Sequence, residues 1–285
     1  MDKLKVAVAS ITSIDNVDEN FRIIEKLTLQ AKAKKAKIIF FPENCLFMRV
    51  KERTEIVSFQ KDSVIIKKIQ KLAAINKMTI HLGSVSFNLN NKNYNSSLLF
   101  DSAGRLTVSY SKIHLFDIKL KGHDPIKESD VYTPGTVPSI FTYQNWKFGQ
   151  SICYDIRFSE LYLKYFEKKV DVILIPAAFL KKTGECHWHI LNRARAIENQ
   201  CYVISSAQSG IHKSKMYKGL SRETYGHSLI VDPWGRIEVD LNKPNNIQIF
   251  SLERDKITQV REQIPMVQHR RNRVLSKSFF SLKIK

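Results

Sequence analysis

The chain has 285 residues, of which 43% are hydrophobic, and is therefore long enough to fold around a substantial core. Its apolar runs are all shorter than the roughly 20 residues that a membrane-spanning helix needs, which excludes a helical membrane protein. The first ten residues show a strand-like alternation rather than the layout of a signal peptide, so we expect a cytoplasmic protein.

The formal net charge is +19, a value that also occurs in proteins that bind nucleic acids or anionic membranes. The basic residues are spread along the whole chain, however, and no nucleic-acid-binding motif accompanies them. The densest basic run, residues 30–37, lies at the end of a predicted helix, where cations are favourable. We therefore predict no nucleic-acid partner and no membrane partner.

The four cysteines, Cys45, Cys153, Cys186 and Cys201, are scattered and form no Cys-x-x-Cys pair. Because the cytosol is reducing, we expect no disulfide. Residues 186–189, Cys-His-Trp-His, include metal-binding residue types, but neighbours one position apart do not share a face of a helix. We therefore predict no metal ion and no other cofactor.

The first half of the chain alternates predicted strands with predicted helices. Apolar residues at helical spacing predict helices at residues 17–35 and 63–75, with Val64 on the buried face of the second. The polar residues 88–95 predict a turn, and residues 101–104, Asp-Ser-Ala-Gly, predict the turn of a hairpin. The predicted strands are residues 4–10, 38–41, 79–85, 97–100 and 106–110.

The second half repeats this alternation and the hairpin. Helices are predicted at residues 161–166, 187–199 and 257–264, with Ile197 facing inward in the second of them. The predicted strands are residues 140–143, 146–152, 170–176, 202–206, 228–231, 236–240 and 247–252. This pattern predicts a single α/β domain over residues 1–273, followed by a short basic tail, residues 274–285.

Three reactive residues each follow a predicted strand: Glu43, Lys112 and Cys153. Ligands of open α/β sheets bind outside the carboxyl ends of the strands, so the three could converge on one pocket if their strands are neighbours. Cys153 lies where a strand turns into a predicted helix, and the first turn of that helix would favour the reactive thiolate. The simpler alternative is that Cys153 is a small buried residue.

Three motifs in this order resemble the nitrilase superfamily of carbon–nitrogen hydrolases, and the resemblance covers roughly residues 4–272. The motifs are Phe41-Pro-Glu-Asn44, Tyr110-Ser-Lys-Ile-His-Leu-Phe-Asp117 and Ser151-Ile-Cys-Tyr-Asp-Ile-Arg-Phe-Ser-Glu160. The resemblance implies an α/β fold, a four-layer α-β-β-α sandwich with two six-stranded sheets. One departure is Ser159, where the superfamily usually has proline. Serine can cap the helix instead, so we expect no loss of chemistry.

The resemblance also implies catalytic roles for four residues. The Glu-Lys-Cys triad of the superfamily falls on Glu43, Lys112 and Cys153, and its additional glutamate falls on Glu128. Such side chains suit amide hydrolysis, because Glu43 can act as general base for the Cys153 nucleophile while Lys112 donates to the oxyanion. Glu128 would orient Lys112 and the substrate or water.

Further motifs resemble one branch of the superfamily, the deaminated glutathione amidases. They are residues 182–189, 193–202, 207–208, 225–228, 232–235 and 268–271. The implied substrate is glutathione whose glutamyl amino group has become a keto group, a ligand that carries carboxylates. Arg157, Thr183 and Tyr154 are the candidates for binding it, although Arg157 could instead pair with Glu160 or Asp155. The resemblance also implies a homodimer.

Two alternatives stay open at this point. One is another amidase of the same superfamily, such as an ω-amidase acting on α-ketoglutaramate, since a sequence does not display the size of a pocket. The other is a basic binding protein with an inactive hydrolase fold. The complete set of Glu43, Lys112, Cys153 and Glu128 favours an enzyme, because a binding role alone would not require all four.

Overall fold

The computed structural model describes residues 2–51, 55–119 and 125–271, and within them the chain forms sixteen strands and six α-helices. The strands are Lys3–Ser10 (β1), Ile38–Phe40 (β2), Thr79–Leu89 (β3), Lys92–Phe100 (β4), Leu106–Ser111 (β5), Asp117–Ile118 (β6), Ile126–Lys127 (β7), Ile140–Tyr143 (β8), Trp146–Gln150 (β9), Val172–Leu174 (β10), Tyr202–Ser205 (β11), Ser209–Lys213 (β12), Ser221–Tyr225 (β13), Ser228–Val231 (β14), Ile237–Leu241 (β15) and Asn246–Glu253 (β16). The helices are Val17–Ala33 (α1), Val64–Asn76 (α2), Ser159–Glu167 (α3), Lys181–Asn199 (α4), Arg254–Gln263 (α5) and Met266–His269 (α6).

Two six-stranded sheets form the framework of the molecule. The first has the order β16-β1-β2-β3-β4-β5, and the second has the order β15-β14-β11-β10-β9-β8. In each sheet the three central strands are parallel, namely β1–β3 in the first and β9–β11 in the second, while the outer strands pair antiparallel. The parallel centres bring the carboxyl ends of several strands to one edge of each sheet.

The apolar residues divide into three layers of core. Val6 and Phe40 of the first sheet pack against Phe148 and Leu174 of the second, which places one core between the sheets. The opposite faces of the sheets pack against α1 and α2 on one side and against α3 and α4 on the other. Because both faces of each sheet are buried, the central strands are apolar throughout. The predicted four-layer α-β-β-α sandwich is confirmed.

Helix α1 begins at residue 17 as predicted, but α4 begins at Lys181 rather than at residue 187, and two predicted core positions are wrong. Asn16 caps α1 by accepting a hydrogen bond from the Glu19 amide at 2.9 Å, as its sequence position indicates. Val64 and Ile197, however, are 72% and 48% exposed. In α4 the buried face is instead partly polar, because Arg195 donates to the Ile156 carbonyl, and an apolar pattern cannot identify such a face.

A turn lies within the predicted range 88–95 but is shorter than predicted, and the difference matters for the site. β3 continues to Leu89 and β4 begins at Lys92, so the hairpin turn consists of Asn90 and Asn91 alone. Both have positive φ, 51° and 61°, as the tight turn of a twisted hairpin requires. Asn95 consequently lies inside β4 and is buried.

The predicted domain end at residue 273 and the predicted tail, residues 274–285, lie outside the described residues and stay predictions. The helices in the described part of the chain include none with the length and apolar character needed to cross a membrane.

Candidate active site

The three reactive residues come together from two different sheets. Glu43 follows β2 and Lys112 follows β5, two strands of the first sheet that are separated by β3 and β4. Cys153 follows β9 of the second sheet. Their strands are therefore not neighbours in one sheet. The three side chains meet because the two sheets pack face to face with the carboxyl ends of these strands at the same edge.

Gly83 in β3 allows the two sheets to approach at this edge. A Cβ atom at this position would lie 2.1 Å from the Phe41 carbonyl oxygen and 2.3 Å from Cβ of Pro176. Phe41 and Pro176 lie two residues before Glu43 and Ala178, and the Ala178 amide donates to Glu43 Oε2 at 2.9 Å. The absence of a side chain at position 83 thus brings the general-base candidate against the second sheet.

A buried ion cluster lies at the end of the first sheet. The Lys112 ammonium donates to Glu43 Oε1 at 2.9 Å and to Glu128 Oε2 at 2.8 Å. Burial alone would raise the pKa of Glu43, but the Lys112 charge acts together with hydrogen bonds from Lys112 and Asn95, and the pKa is lowered. Burial alone would lower the pKa of Lys112, but Glu128 and Glu43 hold that pKa well above its usual range. The Lys112 ammonium thus occupies the position between the Glu43 and Glu128 carboxylates.

Asn95 is a member of this cluster that the sequence did not identify. Its side-chain amide donates to Glu43 Oε1 at 3.0 Å and to Glu128 Oε1 at 2.8 Å, so one nitrogen bridges the two carboxylates. The sequence does not single out Asn95, because it lies among other polar residues of the same hairpin, including Asn88 and Asn93. Only the position of β4 between β3 and β5 shows that Asn95 faces the cluster.

Cys153 has the conformation of a nucleophile at a sharp turn. Its φ is +48°, a left-handed value that is unusual for a residue with a side chain, and it is 7% exposed. The expectation that a helix lowers its pKa is wrong, because a 3₁₀ turn, Cys153–Arg157, separates it from α3. Burial, reinforced by the Glu43 carboxylate, instead raises the pKa of Cys153 well above its usual range. The resting side chain is therefore a thiol, and Glu43 lines the same pocket.

Asp155 connects the nucleophile turn to the loop that follows Lys112. Its Oδ2 accepts from the Ile152 amide at 2.9 Å and from the Tyr110 hydroxyl at 2.7 Å, while Oδ1 accepts from the His114 amide at 2.9 Å. The carboxylate is fully buried. Asp155 therefore fixes the relative positions of Cys153 and the Lys112 loop, a role that depends on partners about 40 residues away in sequence.

One pocket of about 790 Å³, counted up to its opening to solvent, contains all of the predicted site residues. They are Glu43, Lys112, Glu128, Cys153, Tyr154, Arg157 and Thr183. Two further arginines, Arg49 and Arg222, line the same pocket and were not identified from the sequence. Three guanidinium groups around one cavity favour a ligand that carries negative charge.

Arg157 lies over the aromatic wall of this pocket. Its guanidinium donates to His187 Nδ1 at 3.2 Å and stacks near the Phe179 ring, 5.4 Å from the ring centroid. Within the described residues it forms no ion pair with Glu160 or Asp155, so that alternative explanation of Arg157 is wrong.

Comparison with known proteins agrees with this geometry. Residues 5–262 match the family described as "Carbon-nitrogen hydrolase". The chain belongs to the carbon–nitrogen hydrolase family. A protein named deaminated glutathione amidase from Dictyostelium discoideum is 36% identical over 283 residues, which cover 95% of this chain and 95% of that protein. One of the same name from Synechocystis is 35% identical over 274 residues, covering 93% and 97% of the two chains.

Solved structures show the same fold. The NitFhit protein of C. elegans superposes with a TM-score of 0.85 at 30% identity, covering 95% of this chain and 66% of that one. Nit3 of Saccharomyces cerevisiae, described as a member of branch 10 of the nitrilase superfamily, gives 0.77 at 26% identity, covering 93% and 95%.

As a carbon–nitrogen hydrolase, this chain is an enzyme that acts on amide-type carbon–nitrogen bonds, which confirms the class that the three motifs predicted. Family membership speaks against the alternative of a basic binding protein without activity. The roles of the individual side chains stay predictions, for which the geometry of the pocket is the support.

Proposed function

We propose that this carbon–nitrogen hydrolase is an amidase that cleaves deaminated glutathione through a thioester on Cys153. The observation that carries the proposal is one pocket in which a buried Glu43–Lys112–Glu128 cluster adjoins a cysteine and three arginines. The cluster suits amide hydrolysis, and the arginines suit a substrate with carboxylates. The relatives from Dictyostelium discoideum and Synechocystis, which match nearly the whole chain, are named deaminated glutathione amidase.

The first step uses the neutral thiol and the charged glutamate. Because the pKa of Cys153 is raised and that of Glu43 is lowered, the thiol keeps its proton until the amide carbonyl is attacked. Glu43 then accepts this proton as the sulfur–carbon bond forms. Deprotonation coupled to attack avoids a free, buried thiolate beside the Glu43 carboxylate, which would be unfavourable.

Lys112 is placed to stabilise the oxyanion that forms. Two of its three N–H groups are used by Glu43 and Glu128, and the third is available for the substrate oxygen. The Tyr154 amide, in the first turn of the 3₁₀ helix, is the second donor candidate, since early N–H groups of a helix lack acceptors within it. Glu128 positions Lys112 through their shared hydrogen bond.

Collapse of the tetrahedral intermediate breaks the carbon–nitrogen bond. Glu43 returns its proton to the leaving nitrogen, the amine departs and a thioester remains on Cys153. Glu43 next takes a proton from water, whose oxygen attacks the thioester, and the proton returns to the Cys153 sulfur. The products are a carboxylate, an amine and the original thiol.

The substrate proposal is tested by comparing two amides that give a common product. Hydrolysis of deaminated glutathione and of α-ketoglutaramate both release 2-oxoglutarate, but the first has a second carboxylate at its peptide end. We expect a higher kcat/KM for deaminated glutathione, measured as 2-oxoglutarate formed. A preference for α-ketoglutaramate would make the protein an ω-amidase. No turnover of either, with Cys153 still alkylated by iodoacetamide, would overturn the substrate assignment and leave a reactive site for another amide.

We further infer a homodimer that resides in the cytoplasm. Ile190 and Ile197 on α4 and the nearby Trp234 are exposed by 69%, 48% and 48%, which supports a partner surface over this helix. The four cysteines are unpaired, as in proteins of a reducing compartment. Light scattering should give twice the chain mass of 33.0 kDa, and a monomer mass would contradict the dimer.

The absence of nucleic-acid and membrane partners stays a prediction. We expect no association with an oligonucleotide or with anionic vesicles at low salt, conditions that favour any binding driven by charge. Salt-dependent binding would contradict it.

A further inference from the structure

A second cluster of reactive side chains lies outside the pocket, where α4 meets the β14–β15 hairpin. His189 comes from α4, His227 immediately precedes β14, and Asp240 comes from β15. His227 Nδ1 lies 2.7 Å from Asp240 Oδ1, and His189 Nε2 lies 3.1 Å from Asp240 Oδ2. One ligand atom from each of the three residues lies within 4.8 Å of the others.

Tyr225 holds this cluster in place. Its ring stacks on His227 with a centroid distance of 4.6 Å and meets His189 edge-on at 5.9 Å. Tyr225 in turn packs on the backbone of α4, because a Cβ atom at Gly184 would lie 2.3 Å from its Cγ. The two imidazoles are thus fixed by packing and not only by their contacts with Asp240.

The backbone before β14 is shaped to present the His227 ring. Gly226 and His227 both have positive φ, 82° and 60°. The second value is uncommon for a residue with a side chain, so the surrounding contacts must hold it. The His227 carbonyl accepts from the Trp188 indole at 2.8 Å, which ties this segment to α4 one position before His189.

Two imidazoles and one carboxylate form a donor set that suits Zn²⁺ and its neighbours among the divalent transition metals. Ca²⁺ and Mg²⁺ prefer oxygen ligands and fit the set poorly. Ligands at 2.0–2.2 Å from a tetrahedral ion lie roughly 3.3–3.5 Å apart, so the imidazole nitrogens need to retreat from Asp240 by less than about 1 Å. The Tyr225 hydroxyl, 3.4 Å from His189 Nδ1, is positioned to accept from the nitrogen that the metal leaves free.

We propose that His189, His227 and Asp240 bind one Zn²⁺ ion, with water completing the coordination. The ion would clamp α4 to the β14–β15 hairpin. Thr183 in the first turn of α4 lines the pocket, and Trp188 packs on the pocket residue Phe179 with ring centroids 4.8 Å apart. The site is structural and takes no part in amide cleavage. The sequence concealed it because the partners of His189 are distant in the chain and not the adjacent Cys186 and His187.

The test uses the full chain carrying Cys153→Ala and Cys186→Ser, which removes the pocket thiol and the exposed thiol as competing ligands. After chelator treatment, Zn²⁺ is titrated calorimetrically and Co²⁺ is titrated by visible absorption. We expect one ion per chain, a cobalt spectrum without a thiolate charge-transfer band, and a melting temperature that rises with Zn²⁺ concentration.

Variants locate the site. Asp240→Asn keeps the shape of the side chain but should abolish the one-to-one binding, and His227→Ala should do the same. Tyr225→Phe should weaken binding about 10-fold through loss of the outer hydrogen bond. His269→Ala, at an exposed histidine outside the cluster, should bind like the parent. No stoichiometric binding by the parent, or binding that survives both Asp240→Asn and His227→Ala, would overturn the proposal and leave the cluster as a hydrogen-bond network.

Discussion

The two sheets contribute to the pocket in different ways. The first sheet supplies fixed charge, since Glu43 and Lys112 follow its strands and pair with each other and with Glu128 from the segment after β7. These pairings hold Glu43 and Lys112 in their charged forms. The second sheet supplies conformation, since Cys153 is neutral and is placed by a left-handed backbone and by the hydrogen bonds of Asp155. Reactivity therefore arises at the contact between the sheets, where the charge of one activates the thiol of the other.

The largest effect is expected from removing Cys153, the nucleophile that the second sheet supplies. Cys153→Ala should lower kcat on the order of a million-fold, as deletions of a nucleophile do. The melting temperature should stay near that of the parent, because the thiol contributes little packing. Turnover is measured as 2-oxoglutarate release and folding by thermal unfolding. Cys186→Ala, at an exposed cysteine, is the matched control and should keep full activity. Retained turnover in Cys153→Ala would refute the nucleophile assignment.

Removing the proposed general base, Glu43, which the first sheet supplies, should have the next largest effect. Glu43→Gln keeps the size of the side chain but cannot accept the thiol proton, and kcat/KM should fall by about 100- to 10,000-fold. In the parent, the lowered pKa of Glu43 places the acid limb of the pH–rate profile below its usual range near 4.3. Activity should therefore be flat through neutral pH and fall only in acid, as Glu43 takes up a proton.

The alkaline side of the pH–rate profile tests the protonation state of Cys153, the residue that the second sheet supplies. Because the pKa of Cys153 is raised, no limb should appear near the value of about 8.5 that a free cysteine has. A limb at that pH, measured in kcat/KM and in the rate of iodoacetamide alkylation, would show that Cys153 ionises as an ordinary thiol and would contradict activation by Glu43.

Features of the site that depend on neighbours in the sequence were predictable, whereas features that depend on residues far apart in the sequence were not. Glu43, Lys112 and Cys153 each follow a strand, a local pattern, and the order of their motifs identified the family and, through it, the layers of the fold. The sign of the Cys153 pKa shift was not predictable, because burial dominates it and burial is a tertiary property. Asn95 was missed for the same reason, since its partners lie 52 and 33 residues away.

The contact between the sheets can be disturbed directly at Gly83. Gly83→Ala would place a methyl group against Phe41 and Pro176, so the sheets must separate or shift at the pocket. We expect a stability loss of about 1–3 kcal/mol, and a fall in kcat of roughly 100-fold if Glu43 moves by about 1 Å from Cys153. Denaturant unfolding and kcat are measured on the same preparation. Unchanged values would show that activity does not require this close approach.

The smallest effect should come from a residue that touches both carboxylates without carrying charge. Asn95→Ala removes a donor from Glu43 and from Glu128, and we expect kcat/KM to fall by roughly 10- to 100-fold, as for other residues that orient reactive groups. Since the Asn95 hydrogen bond helps to lower the pKa of Glu43, its loss should move the acid limb of the profile to higher pH.

Asn88→Ala is the matched control for this change. Asn88 belongs to the same hairpin, and its side chain donates to Asn93 rather than to the cluster. It should leave both the rate and the acid limb unchanged. If Asn95→Ala lowered the rate without moving the acid limb, Asn95 would serve only to hold β4 in place. A shift of the limb would instead establish that the charge state of Glu43 is set by the side chains of its own sheet before the thiol of the other sheet is engaged.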